Sequence, residues 1–334
     1  MKRLCILAIA VLAMAACGAN PPGGPTPPPD GPTLSCPANI SASSFGTEVA
    51  VTYPAAVVSG GTPPVNVTCT LASGALFPAG QTTTVLCSAV DAVARRAQCS
   101  FSVTLTSLKL NATKFMAFGD SMTEGVDGLA SMRVGRLLSD PAFAYPAQLQ
   151  LMLHADYPAQ EITVANEGLG GEKATAPESF ARLTAALRTR QPQVLLLLDG
   201  YNDLLNFGSD FANDVAFALR DFIRLAKSMG VQHVFVSTLT PPGPTGPRRI
   251  PIAAIQEANF FIQQIASQEG ATLVDNYKAF LGLEPLLITD GLHVNHTGAE
   301  LIAKTFHDAI VAKLGDKPAG TAAGTSATRW SRQP

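Results

Sequence analysis

The sequence predicts an α/β fold, a doubly wound parallel sheet of five strands, with a small all-β sandwich ahead of it. Three observations carry that expectation. From about 114 to 314, short apolar runs alternate with longer segments of helical periodicity, the pattern of successive βα units and so of a parallel sheet covered on both faces. Between 34 and 106 the apolar period drops to two, in short β-branched runs broken by turn residues, as in a sandwich. Cys36, Cys69, Cys87 and Cys99 all fall in this second region.

Composition bounds function before any motif is read. The 334 residues carry 23 Lys+Arg against 25 Asp+Glu, and 47% are hydrophobic against 14% charged. There is no cationic excess to displace counterions from phosphates, which excludes a nucleic-acid partner, and the apolar content excludes a disordered acidic chain. The length suffices for two domains with separate cores.

Taken in order, residues 1–16 read as a signal peptide, with Lys2 and Arg3 ahead of an apolar stretch at 4–16 that is too short to span a bilayer. The run Leu12-Ala13-Met14-Ala15-Ala16-Cys17-Gly18 resembles a bacterial lipobox, from which Met14 departs. The resemblance implies that Cys17 becomes the lipidated first residue of an exported protein, held at the bacterial outer membrane by its acyl chains on either the periplasmic or the cell-surface side. The competing reading is an ordinary signal peptide cut near Ala16, with Cys17 unmodified. Residues 17–33 then hold the anchor site and a linker rich in Pro and Gly, a composition that favours an extended spacer.

In the all-β region strands are expected at 48–53, 65–70, 82–87 and 100–106, with turns at Ser59-Gly60-Gly61 and Pro78-Ala79-Gly80. An even set of four cysteines in an exported region reads as two disulfides, with three possible connectivities. Zinc is the competitor, but no CxxC pair or nearby His supports it. The segments Cys36-Pro37-Ala38-Asn39-Ile40, Val49-Ala50-Val51-Thr52-Tyr53-Pro54, Phe77-Pro78-Ala79-Gly80, Thr83-Thr84-Val85-Leu86-Cys87, Asp91 and Cys99-Ser100-Phe101 together resemble a HYR domain, an immunoglobulin-like module. Within such a module over 34–106, the pairing expected is Cys36 with Cys99 and Cys69 with Cys87, and the role expected is spacing or adhesion rather than catalysis. Residues 107–113 are expected to link it to the next domain.

In the α/β region, 114–314, strands are expected at 115–118, 162–165, 194–198, 233–237 and 272–274, and helices at 145–155, 178–189, 211–229, 252–269 and 297–314. The third helix shows the reasoning: Val215, Leu219, Phe222, Leu225 and Met229 recur at steps of three and four, and Gly230 follows as a C-terminal cap. Thr297 to Glu300 reads as a capping box, which makes His296 a residue of the helix entrance. The tail at 315–334, rich in Gly, Ala, Thr and Ser, is expected to be disordered.

Ligands of such sheets gather at the carboxyl ends of the strands, and there the polar residues concentrate. Phe118-Gly119-Asp120-Ser121-Met122-Thr123-Glu124-Gly125 follows the first strand and presents Ser121, either as a nucleophile or as a helix N-cap. Asn166-Glu167-Gly168-Leu169-Gly170-Gly171-Glu172 follows the second, Asp199-Gly200-Tyr201-Asn202-Asp203 the third, and Asp290-Gly291-Leu292-His293-Val294-Asn295 precedes the last helix. In this order the blocks resemble those of the SGNH, or GDSL-like, hydrolase superfamily, matched by Ser121, Gly171, Asn202 and His293.

The resemblance implies a flavodoxin-like fold and a serine esterase using neither metal nor organic cofactor. Ser121 would be the nucleophile and His293 its base, since an ordinary imidazole titrates near ~6.5. Asp290, three residues earlier, would fix the imidazole tautomer. The Ser121 and Gly171 N–H groups and the Asn202 amide would form the oxyanion hole. Gly168 and Gly170 compete for the place of Gly171, and Asp120 and Asp203 are read as structural. The substrate class is a small-molecule or glycan-linked ester, bordered by 128–144 and 240–251, and the lack of a long apolar lid favours short acyl groups. An acyltransferase with the same triad and a non-catalytic protein that binds acylated glycans are the alternatives. The sequence says nothing of oligomeric state.

Overall fold

The computed structural model describes residues 30–316; the stretch read as a signal peptide, Cys17, most of the expected linker and the tail from 317 lie outside the described residues. The described chain forms two compact units, one of 30–38, 53–73 and 84–101 and the other of 39–52, 74–83 and 102–316.

The N-terminal strands are β1 (Thr33–Ser35), β2 (Ile40–Ser44), β3 (Glu48–Ala50), β4 (Val57–Ser59), β5 (Asn66–Cys69), β6 (Leu76–Pro78), β7 (Gln81–Val90) and β8 (Arg96–Ser107). They form a sheet of order β2-β8-β7-β5 and two ribbons, β1-β4 and β3-β6. Burial alternates along the long strands: Val85, Cys87 and Ala89 of β7 and Phe101, Val103 and Leu105 of β8 are turned away from water, as a half-buried strand requires. In the first unit Cys36 is bonded to Cys99 and Cys69 to Cys87. The second bond joins residues directly paired across β5 and β7. In the second unit β2 runs parallel to β8, and Leu108, Leu110 and Ala112, beyond β8, are buried.

The α/β part contains β9 (Lys114–Gly119), α1 (Ser121–Glu124), α2 (Gly128–Val134), α3 (Tyr145–Asp156), β10 (Thr163–Gly168), α4 (Pro177–Arg190), β11 (Val194–Leu198), α5 (Tyr201–Phe207), α6 (Ala212–Ser228), β12 (His233–Ser237), α7 (Ile252–Gln268), β13 (Thr272–Val274), α8 (Asn276–Phe280), α9 (Glu284–Leu287) and α10 (His296–Leu314). The sheet order is β10-β9-β11-β12-β13 and every pairing is parallel. β11 lies at its centre, and Val194 to Leu198 are all buried, which is why this strand reads as an unbroken apolar run. α3 packs on α10, and α6 packs on α4 and α7. Right-handed crossovers put these two sets on opposite faces.

The chain leaves β9 for β10 on one side and returns to β11 on the other. The reversal puts the topological switch point at the carboxyl ends of β9 and β11, where ligands of such sheets bind. One expectation for the elements fails. The cap of α10 is Asn295, whose side chain accepts the Gly298 N–H at 3.0 Å, not Thr297. Glu300, assigned to the capping box, instead pairs with His296 at 3.1 Å.

Candidate active site

Ser121 owes its position to the two residues before it. A Cβ built on Gly119 would lie 1.9 Å from the Leu198 carbonyl oxygen, so glycine lets the ends of β9 and β11 close together. Asp120 then caps α1, its Oδ1 accepting the Met122 N–H at 2.9 Å. The N-cap role considered for Ser121 thus falls to Asp120, and Ser121 becomes the first helical residue, with its hydroxyl available for other bonds.

That hydroxyl lies 2.8 Å from His293 Nε2, across 172 residues of sequence. On the far side of the ring, Nδ1 lies 2.7 Å from Asp290 Oδ2. A carboxylate there accepts a hydrogen bond from the Nδ1–H, which keeps the proton on that nitrogen and leaves Nε2 to accept the Ser121 O–H. The other oxygen, Asp290 Oδ1, accepts the Leu292 and His293 backbone N–H groups at 2.9 and 2.7 Å, which fixes the loop. Burial alone would raise the Asp290 pKa; the His293 hydrogen bond, the imidazole charge and those two N–H groups outweigh it and hold the carboxyl below its ordinary value. Ser121, Asp290 and His293 are all buried. His296 is exposed and its ring packs against Phe143, away from this chain of bonds.

β10 runs on through Gly168, so the glycine loop shortens to Leu169-Gly170-Gly171-Glu172. The Glu172 N–H donates to the Leu169 carbonyl at 3.1 Å, and Gly171 has φ +83°. This is a type II turn, which needs glycine at its third residue. Gly168 N donates to Asn166 Oδ1 at 2.9 Å and Gly170 N to Glu124 Oε2 at 2.6 Å. Of these three glycines, Gly171 alone has an N–H without a protein acceptor among the described residues. Asn202, on the first turn of α5, donates through Nδ2 to the Glu172 carbonyl at 2.8 Å and lies 3.5 Å from Asp120 Oδ2. Asp203 accepts the Ala174 and Thr175 N–H groups at 2.8 and 3.2 Å and so ties the glycine loop to α5.

Three further features carried no signal in the sequence. Arg182 of α4 donates to the Glu167 and Gly119 carbonyls at 2.7 and 3.2 Å, pairs with Glu172 and covers the Phe118 ring at 3.9 Å. It braces the ends of β9 and β10 from below. Arg248, in the Pro-rich loop after β12, lies 3.9 Å from Asp290 Oδ2. Asp199 is wholly buried; its Oδ1 accepts the Gly200 N–H at 2.7 Å and its Oδ2 has no partner among the described residues. Burial, reinforced by the charges of Asp120, Glu172 and Asp203, pushes its pKa well up. Among the described residues no His, Cys, Asp and Glu group is arranged to hold a metal ion, and no helix is long and apolar enough to cross a membrane.

A flavodoxin-like sheet with Ser, His and Asp linked at its carboxyl edge defines the class of α/β ester hydrolases. The model of the GDSL-like lipase/acylhydrolase family matches residues 117–301, more than half of the chain, and the HYR domain model matches 28–105. The chain therefore belongs to the GDSL-like lipase/acylhydrolase family, and its α/β part is an SGNH-type ester hydrolase. Among solved structures it is similar to Est24, a carbohydrate acetylesterase from Sinorhizobium meliloti, at 16% identity and TM-score 0.50 over 60% of this chain and 99% of that one. It is also similar to a lipase/acylhydrolase from Enterococcus faecalis, at 22% identity and TM-score 0.50 over 60% of this chain and 97% of that one. At these identities the likeness is one of fold. No curated protein matches the chain.

Proposed function

We propose that the chain hydrolyses carboxylic esters through an acyl-serine intermediate, with short acyl groups on a small-molecule or glycan-linked alcohol as substrates. The observation that carries this reading is the 2.8 Å approach of Ser121 Oγ to His293 Nε2, with Asp290 2.7 Å behind the ring. Ser121 Oγ attacks the ester carbonyl carbon while its proton passes to Nε2. The oxyanion formed takes hydrogen bonds from the Ser121 and Gly171 N–H groups and from the Asn202 amide, which gives up its long 3.5 Å bond to Asp120 Oδ2 to make one. Collapse breaks the bond to the alcohol oxygen, which takes the proton from Nε2. Water, deprotonated by the same nitrogen, then releases the acid and restores the hydroxyl. One lost oxyanion donor costs about 2.7 to 4 kcal/mol of barrier in comparable sites. Acetylated carbohydrate is the first substrate to test, since Est24 carries the name carbohydrate acetylesterase.

Assayed on nitrophenyl acetate, Ser121→Ala is expected to lose turnover with its circular dichroism and melting unchanged. His293→Ala is expected to lose it as well, and His296→Ala to keep it. Full turnover in Ser121→Ala would remove the acyl-serine assignment.

We further propose, from the lipobox resemblance alone, that the chain is an exported lipoprotein acylated at Cys17, which lies outside the described residues. Two disulfides agree with export, because such bonds persist in oxidising compartments.

A further inference from the structure

Glu124 ends α1, three residues after Ser121, and the mechanism above does not use it. Its carboxylate spans two other segments. Oε2 accepts the Gly170 N–H at 2.6 Å and Oε1 accepts the Ser139 hydroxyl at 2.9 Å. Its backbone is held just as closely: a Cβ built on Gly168 would lie 2.1 Å from Glu124 N, so glycine lets the end of β10 pass over α1. A Cβ on Gly170 would lie 2.6 Å from Glu124 Oε2 and 3.8 Å from Ser121 Cβ, which sets this carboxylate contact beside the nucleophile.

The turn that Glu124 grips is one that can flip. In Leu169-Gly170-Gly171-Glu172 the middle peptide carries the Gly171 N–H, and two successive glycines accept its type I and type II orientations alike. Flipping reverses the direction of that N–H while the Glu172 to Leu169 hydrogen bond survives. A charge-assisted bond to the neighbouring Gly170 N–H restricts the rotation, and the orientation found is type II, with Gly171 at φ +83°.

We infer that Glu124 is a positioning residue for the oxyanion hole, its carboxylate holding the Gly170–Gly171 peptide so that the Gly171 N–H is free to donate to the substrate oxygen. The inference rests on the acyl-serine reading. It needs no contact between Glu124 and substrate, and it assigns the carboxylate to the chemical step rather than to ester binding.

The test measures kcat and KM on nitrophenyl acetate for Ser121→Ala, Glu124→Ala, Glu124→Gln and Ser139→Ala. Glu124→Ala is expected to lose up to about 10²-fold in kcat with KM within about twofold of the parent, as for a displaced transition-state donor. Glu124→Gln, which keeps an acceptor for Gly170, recovers most of the loss, and Ser139→Ala stays within about twofold of the parent. Should Glu124→Ala not fold, Glu124→Asp, which draws the carboxylate back from Gly170, reads the same loss. An unimpaired kcat in Glu124→Ala overturns the inference, as does an equal loss in Ser139→Ala, which would assign Glu124 to anchoring the 135–144 segment. If Ser121→Ala keeps full turnover the acyl-serine reading falls; if Ser121→Ala is inactive and Glu124→Ala is unimpaired, only the present inference falls.

Discussion

Asp120 stands one residue before Ser121 and is held wholly out of water. Burial pushes its carboxyl up to about 7, against the Met122 and Tyr201 N–H groups that favour the anion and with the charges of Asp203 and Glu172 adding to the rise. A carboxyl that binds its proton more tightly when folded stabilises the fold fully below its unfolded pKa. That contribution fades as pH rises through the folded value. Asp290 has the opposite sign: its carboxyl is lowered, so its contribution is present above the unfolded value and is lost as pH falls through the folded one. Melting temperature is therefore expected to peak on the mildly acidic side. Asp120→Asn removes the alkaline penalty, so calorimetry should find the variant gaining on the parent between about pH 5 and about pH 8. A difference that does not change with pH would sink this account of Asp120. The sequence marked Asp120 as structural, but nothing in it showed that Asp199 and Asp203 are buried beside it, because they follow a different strand 80 residues away.

At the scale of elements, the long helices were legible and the short ones were not. α6 and α7 each run for 17 residues with a repeating apolar face, which periodicity detects. α1, α2, α5, α8 and α9 run for four to seven residues, too few to show a period. Caps and close backbone approaches fix them instead: Asp127 accepts the Leu129 and Ala130 N–H groups at 2.8 and 3.0 Å, so a helix forms inside what read as a loop at 128–144. The start of α10 makes the same point. Asn295 donates to the Leu286 carbonyl at 2.7 Å while capping Gly298, and its N–H reaches the Leu287 carbonyl at 2.8 Å. These contacts with α9 start the helix before Thr297. Asn295→Ala is expected to cost about 1 kcal/mol of stability, whereas Thr297→Ala stays within about 0.5 kcal/mol. Denaturant titration of both variants decides which residue is the cap, and an equal loss in the two would restore the capping box.

For the molecule as a whole, the proposed lipid anchor and the proposed catalysis are separable by experiment. If Cys17 carries the lipid anchor, Cys17→Ser is expected to move the protein from the membrane fraction to the soluble one with its ester hydrolysis intact, and mass spectrometry of the parent should find acyl chains on that residue. Retention of the variant in the membrane fraction would exclude this anchor. The order of strands and helices, the alternating burial of β7 and β8 and the polar blocks after β9, β10 and β11 follow from local periodicity and composition, which a chain carries without knowing its fold. Connectivity of four cysteines and the 2.8 Å approach of Ser121 to His293 do not, since both join residues far apart in sequence. The same holds for Glu124 and Arg182. Each is an ordinary charged residue on a helix until the fold brings distant segments against it, the Gly170 loop and Ser139 for Glu124 and the ends of β9 and β10 for Arg182, and only that packing selects which groups it meets.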